Sequence, residues 1–246
     1  MTELVHYDVT DDVGTITLDS PKNRNALSRQ LVSELFDALT AARADDSVVV
    51  VLRSADRVFC SGADLSEAST VGMEEGTRAI VELQRLIVTH PKPIVVRLAG
   101  PVRAGGLGLV ASADIVVCAD DVTFAFTEAR LGVAPAIISL TVLPRMTSRA
   151  AADTFLTGRT FDATEAVAMG LVTRCVPADE LDAEVARVCD DLRLAHPQGL
   201  AETKSLLARD LVTRIDADGE DMAALSARLF ASDGAREAIT AFLQRR

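Results

Sequence analysis

The sequence predicts an α/β fold, with strands and helices alternating up to about Pro144, a core that runs to about Ala195 and a helical module over residues 196–246. Three observations carry this expectation. Short unbroken apolar runs at Val48–Leu52, Ile94–Val96 and Ile115–Val117 read as strands covered on both faces, the pattern of a parallel sheet. A helical stretch near Ala79–Val88 separates the first two runs, which makes βαβ units the natural arrangement. After Pro144 the periodicity becomes helix upon helix.

Taken in order, Val5, Tyr7 and Val9 alternate with polar neighbours, and so do Thr15-Ile-Thr-Leu18. Asp11-Asp12 between them marks a turn, so the two runs read as a hairpin. Ser28 is placed to cap a helix whose Leu31, Leu35 and Leu39 form one apolar line. Past Pro144, Asp162 and Glu165 have capping-box spacing, and Gly170 stands where that short helix should stop. Further helices are expected over Ala178–Leu194, Pro197–Leu211, Met222–Phe230 and Ala235–Leu243. Pro197 suits a first turn, where its missing N–H would have no partner anyway.

Composition narrows the function classes. A chain of 246 residues with 49% apolar content is long enough for one substantial core, and that content excludes a fully disordered chain. A net charge of −11 argues against nucleic acid as a partner, because phosphates need a basic footprint. No apolar run reaches the roughly 18 residues of a membrane span. Met1-Thr-Glu-Leu4 lacks the basic start and apolar stretch of a signal peptide, so a cytoplasmic location is expected. Cys60, Cys118, Cys175 and Cys189 show no metal or redox spacing and are expected to be reduced and buried. His6, His90 and His196 share no helical face, so no metal site is expected.

The chemistry-bearing stretch is Gly105 to Glu128: a glycine pair opening a helix, then one carboxylate in Phe124-Ala-Phe-Thr-Glu-Ala-Arg-Leu-Gly132. Glycines let backbone N–H groups approach a carbonyl oxygen with no side chain in the way, as an oxyanion hole requires. A second small-residue loop, Phe59-Cys-Ser-Gly-Ala-Asp-Leu65, offers another donor. Alone, a glycine pair is weak evidence, since such pairs punctuate many turns.

These segments resemble the crotonase family, the enoyl-CoA hydratase and isomerase superfamily. The likeness extends over nearly the whole chain in the family's order. It takes in Pro21-Lys-Asn-Arg-Asn-Ala-Leu27, Val48–Leu52 with Phe59–Asp64, Lys92-Pro-Ile-Val-Val96 with Gly100, Ala113-Asp-Ile-Val-Val117, Thr127–Gly132, Thr157-Gly-Arg159 and Ala168-Met-Gly-Leu-Val172. The resemblance implies a ββα spiral core over residues 1–195 and a C-terminal helical oligomerisation module over 196–246. It also implies assembly as a homotrimer or a homohexamer, a dimer of trimers.

By the same resemblance, the amides of Ala63 and Gly105 receive the thioester oxygen and Glu128 handles protons. The family's hydratases carry a second glutamate three residues past the glycine donor, where this chain has Gly108. Coenzyme A enters as part of an acyl-CoA thioester substrate, with no tightly bound cofactor. Its implied contacts are Lys22, Arg24 and Ala26, then Ala63, Asp64 and Leu65, with Gly106 in the glycine turn and Phe242 and Arg245 in the closing helix; Arg246 is a further basic candidate there. Arg suits a phosphate because its planar fork offers paired donors. The acyl pocket is expected from segments such as Glu67–Arg85 and Ala134–Leu143. Arg103, just before the glycine turn, is either an outward loop charge or a receptor for a carboxylated acyl chain.

Hydration of a 2-enoyl-CoA is the leading expectation, on resemblance. Isomerisation of a 3-enoyl-CoA to its 2-enoyl isomer is the alternative that Gly108 suits, because one base moves one proton. The third reading is an acyl-CoA-binding protein without catalysis, against which the retained Glu128 stands. An ordinary surface glutamate paired with Arg130 is the bland reading of that residue.

Overall fold

The computed structural model describes residues 2–68 and 73–244. The first alternating runs form an antiparallel hairpin of β1 (Val5–Thr10) and β2 (Val13–Leu18). Asp11 and Asp12 at its turn both have positive φ, 50° and 63°, which matches the twist of the flanking strands. Ser28 Oγ accepts the Leu31 N–H at 3.3 Å and starts α1 (Arg29–Ala44), which buries Leu31, Leu35 and Leu39. There follow β3 (Val49–Ser54), α2 (Leu65–Ala68), α3 (Met73–Val88), β4 (Ile94–Leu98), β5 (Val102–Arg103), α4 (Gly106–Ser112), β6 (Ile115–Ala119) and β7 (Thr123–Ala125). After a 3₁₀ turn over Glu128–Leu131 come α5 (Ala136–Arg145), α6 (Ser148–Thr157), β8 (Phe161–Asp162), α7 (Ala163–Met169), β9 (Arg174–Val176), α8 (Leu181–Arg193), α9 (Pro197–Phe230) and α10 (Asp233–Leu243).

The larger sheet has the order β1-β2-β3-β4-β6-β9 and is parallel from β2 onward. Its central strands are apolar on both faces because helices cover them, as the unbroken runs require. A smaller sheet, β5-β7-β8, stands beside it. The chain lays one strand in the larger sheet, one in the smaller, then a helical segment: β4, β5, α4, and again β6, β7, the 3₁₀ turn and α5. This is the expected ββα spiral, and it stacks the turns after β5 and β7 at one end. Phe124, Phe126 and Phe161 pack there, with centroids 5.5 and 5.8 Å from Phe161.

Three expectations need correction. The region after Pro144 is not all helix, because β8 joins the smaller sheet and β9 closes the edge of the larger one. Each has three residues or fewer, too short to show a period. Residues 212–221 do not separate two helices, since α9 runs unbroken from Pro197 to Phe230. Its acidic middle is matched by α3, with Arg85 on Asp216 at 2.7 Å and Arg78 on Glu220 at 2.6 Å. Gly219 sits where a Cβ would stand 3.0 Å from Val81 Cγ1, so it marks close helix contact and not a stop. Nearer the start of α9, buried Lys204 donates to Asp114 Oδ2 at 2.7 Å and to the Ile87 and Lys92 carbonyls. Finally, Cys175 is only half-buried, unlike Cys60, Cys118 and Cys189.

The capping box at Asp162 and Glu165 forms as spaced, and Gly170 ends α7 at φ 91°. No helix among the described residues is long and apolar enough to cross a membrane.

Candidate active site

One cavity of about 740 Å³ opens where the turns after the short strands meet the first loops of the chain. The 3₁₀ turn over Pro21–Asn23 puts Lys22 and Arg24 at its edge. Asn25 fixes that loop: its Oδ1 accepts the Ser20 N–H at 2.7 Å and its Nδ2 donates to the Val58 carbonyl at 2.9 Å. Ser61 joins the next loop to it, donating from N to the Arg24 carbonyl and from Oγ to the Asn23 carbonyl, each at 3.1 Å.

Ala63 and Gly105 come together at the centre. A Cβ built on Gly105 would stand 3.6 Å from the Ala63 amide nitrogen, so the two loops touch through bare backbone. Both residues line the cavity, and neither N–H finds a protein acceptor among the described residues. Ala104, one residue earlier, is held at φ 46° by its N–H on the Ala125 carbonyl and by its own carbonyl, which accepts the Leu107 N–H. β7 therefore fixes the turn that presents Gly105. Two amides without a protein acceptor among the described residues, on the lining of one cavity, can supply what a developing oxyanion needs.

Glu128 opens the 3₁₀ turn after β7 and lines the same cavity. It is 8% exposed, and its Oε2 has no hydrogen-bond partner among the described residues. Burial pushes its carboxyl up to about 7, opposed by its own backbone N–H. Arg130 does not pair with it, because Arg130 Nε donates to the Thr157 carbonyl at 2.9 Å. The surface-glutamate reading falls on both counts. Buried carboxylates with strongly perturbed acidity in clefts are characteristic of acid–base sites.

The place of the second glutamate is filled. A Cβ on Gly108 would stand 2.8 Å from Ile138 Cγ2 and 3.0 Å from Gln84 Oε1. Gln84 is fully buried, accepts the Thr141 hydroxyl at 2.7 Å and donates to the Ile137 carbonyl at 3.2 Å. One wall of the cavity is thus apolar, made by Ala134–Ile138 and Ile80, drawn from both expected segments. A narrower apolar recess of about 330 Å³ between α1 and α3 shares Ala63, Asp64 and Ile80 with it.

Of the other expected contacts, Ala26, Asp64, Leu65 and Phe242 line the main cavity. Asp64 is committed to its loop: its Oδ1 receives Ser66 N–H and Oγ–H and its Oδ2 receives Asn23 Nδ2. Partial burial works against its ionised form, yet these hydrogen bonds hold it below the usual carboxylate range. Phe242 packs near Leu65, Leu131 and Phe230, bringing α10 back over the turn that carries Glu128. Gly106 is displaced from the expected role. It does not line the cavity; a Cβ there would stand 2.7 Å from Cys60 Cβ, so it serves packing. Arg245 and Arg246 lie outside the described residues. Ser226 and Phe230 of α9 also line the cavity and were not expected; an unbroken α9 is what carries them there. Among the described residues no three His, Cys, Asp or Glu side chains gather as metal ligands.

A family profile described as enoyl-CoA hydratase/isomerase matches residues 8–246. The solved structure of an enoyl-CoA hydratase from Mycobacterium avium is 45% identical and superposes with a TM-score of 0.93, covering 100% of this chain and 98% of the other. A Thermus thermophilus protein, whose enoyl-CoA hydratase name is a provisional one, is 34% identical over 242 residues, 95% of each chain. Enoyl-CoA hydratase domain-containing protein 3, mitochondrial, of Rattus norvegicus is 32% identical over 248 residues, 96% of this chain and 80% of that protein.

Proposed function

The chain belongs to the enoyl-CoA hydratase/isomerase family, and from that premise we propose that it adds water reversibly to a 2-enoyl-CoA thioester. The observation that carries the reading is the Oε2 of Glu128, without a partner among the described residues, on the same cavity as the Ala63 and Gly105 amides. A water donating to Oε2 attacks C3 and leaves its proton on the carboxylate. Electron density moves to the thioester oxygen, where the two amides hold the enolate more strongly than the ground-state carbonyl. Glu128 then returns the proton to C2, and a 3-hydroxyacyl-CoA results. A carboxyl near neutrality serves both halves of that cycle.

In this reading coenzyme A comes and goes with the substrate, and no separate cofactor takes part. Lys22 and Arg24 receive its phosphates, Ala63–Leu65 line the path of the pantetheine, and Phe242 closes over it. Assembly into trimers or hexamers belongs to the same proposal. It is supported by the exposed Leu194, Leu206 and Leu207 at and after the end of α8.

A second reading rests on the filled space over Gly108. With one carboxylate and an apolar wall, Glu128 can take a proton from C2 of a 3-enoyl-CoA and return it to C4, giving the conjugated isomer. Incubating the protein with panels of 2-enoyl-CoAs and 3-enoyl-CoAs, with products identified by mass and ultraviolet absorbance, separates the two. Hydration adds the mass of a water and removes conjugation; isomerisation leaves the mass unchanged and creates it. No conversion of either panel would refute both.

A further inference from the structure

Arg103 lines the main cavity from β5 and is half-buried. Arg78, Arg85, Arg97, Arg159 and Arg187 each sit on a carboxylate, whereas every acceptor of Arg103 is neutral. Arg130 and Arg145 also bond only neutral groups, but of these three arginines Arg103 alone lines the main cavity. Its Nη1 donates to the Val102 and Thr123 carbonyls, and its Nη2 donates to Thr123 Oγ1 at 2.8 Å. Those three bonds use both N–H groups of Nη1 and one of Nη2. They fix the plane of the guanidinium and leave the edge formed by Nε–H and the remaining Nη2–H without an acceptor among the described residues. That edge is one of the two forks with which an arginine grips a carboxylate or phosphate in bidentate fashion.

The surroundings sharpen the point. Burial lowers the pKa of Arg103, and no acid offsets it, so the cation is partly desolvated with no counter-ion. The backbone places it beside another cation: Arg103 N–H donates to the Cys60 carbonyl at 2.9 Å, and Ser61 N–H donates to the Arg24 carbonyl at 3.1 Å. Arg24 and Arg103 therefore flank the Cys60–Ser61 segment and both line the cavity. In a chain of net charge −11, three cations, Lys22, Arg24 and Arg103, line one cavity; of its two carboxylates Asp64 is bound into its own loop, so Arg103, orientated by neutral groups only, is placed to receive an anion.

We propose that the free Nε/Nη2 edge of Arg103 binds an anionic oxygen group of the substrate, either a phosphate of the coenzyme or a carboxylate on the acyl chain. This rests on the acyl-CoA reading above but not on whether the reaction is hydration or isomerisation. It assigns Arg103 a recognition role that neither Glu128 nor the two amides supplies.

Calorimetric binding of saturated thioesters tests it without turnover. Butyryl-CoA, glutaryl-CoA and butyryl-pantetheine are titrated into the wild type and into Arg103→Met, with circular dichroism as the check on folding. Loss of a charge-assisted pair is expected to weaken binding about 10- to 100-fold. A loss for both CoA thioesters that spares butyryl-pantetheine identifies a coenzyme phosphate. A loss confined to glutaryl-CoA identifies an acyl carboxylate. Equal effects on all three compounds, or none, overturn the proposal, while a wild type that binds no CoA thioester overturns the acyl-CoA reading as well. If Arg103→Met does not fold, Arg103→Lys keeps the charge and loses the fork, and the same selective pattern is required of it in weaker form.

Discussion

Ile138 occupies the space above Gly108: the isoleucine Cγ2 lies 2.8 Å from where a glycine Cβ would begin. A glutamate introduced at 108 therefore meets packed side chains, not open cavity. Gly108→Glu is expected to destabilise by about 1–3 kcal/mol through overpacking, which lowers the melting temperature by about 2–4 °C per kcal/mol in a chain of this size. It is expected to add nothing to turnover. Pairing it with Ile138→Ala should recover part of the melting temperature, and differential scanning calorimetry on the three proteins checks this. A Gly108→Glu protein with unchanged stability and raised kcat would show that the wall yields.

Glu128→Gln keeps the shape of the side chain and removes its proton chemistry. General acid–base groups contribute about 10²- to 10⁴-fold, so kcat on every active enoyl-CoA should fall within that range while the protein stays folded. Retention of kcat to within a factor of about three would remove Glu128 from the mechanism.

The burial of Glu128 also sets a pH dependence. Its carboxyl is raised from 4.5 to about 7, so between those values the folded state holds a proton that the unfolded chain has released. Its contribution to stability is then fullest below about 4.5 and declines as pH rises to about 7, by an amount of about 3 kcal/mol. Other carboxylates titrate in the same region, so the test is the difference between wild-type and Glu128→Gln unfolding free energies from pH 4 to 8. That difference should shift toward the glutamine variant as pH rises. A flat difference would mean that the carboxyl is solvated. Where Glu128 acts first as a base, kcat/KM should fall below about pH 7.

Gly105→Pro removes the amide donor itself. The native φ of −51° lies within proline's range, but Ala104 before it at φ 46° is a conformation that a following proline disfavours. Gly105→Val is the steric control, since its Cβ would stand 3.1 Å from Leu27 Cδ1 while its N–H survives. Loss of one oxyanion donor costs about 10²- to 10³-fold in kcat. A folded Gly105→Pro protein turning over at near wild-type rate would rule out this amide as a donor.

How far the sequence reached follows from which forces act locally. The hairpin, the Ser28 cap, the Asp162–Glu165 capping box and the covered strands are set by neighbours in sequence, and each formed where its residues pointed. Lys22, Arg24, Ala26, Ala63, Gly105, Glu128 and Phe242, singled out from motifs far apart in the chain, line one cavity. What stayed hidden depends on distant partners. Nothing near Gly219 announces Val81, and nothing near Asp216 or Glu220 announces the arginines of α3, so an acidic, glycine-bearing stretch looked like a helix break. Gln84 likewise reads as an ordinary helix residue until Thr141 and Ile137 close around it.

The unbroken α9 gives the molecule a mechanical property. One end is bolted by Lys204 to Asp114 and to the carbonyls of Ile87 and Lys92, beneath the start of the larger sheet's central strands. The other end supplies Ser226 and Phe230 to the cavity. At 1.5 Å of rise per residue the two stations stand roughly 40 Å apart on one stiff rod. Between them the rod is held to α3 by Arg85 on Asp216, Arg78 on Glu220 and the close approach of Gly219 to Val81, so the cavity's Phe230 wall is anchored along the length of α9 and not only at its own end.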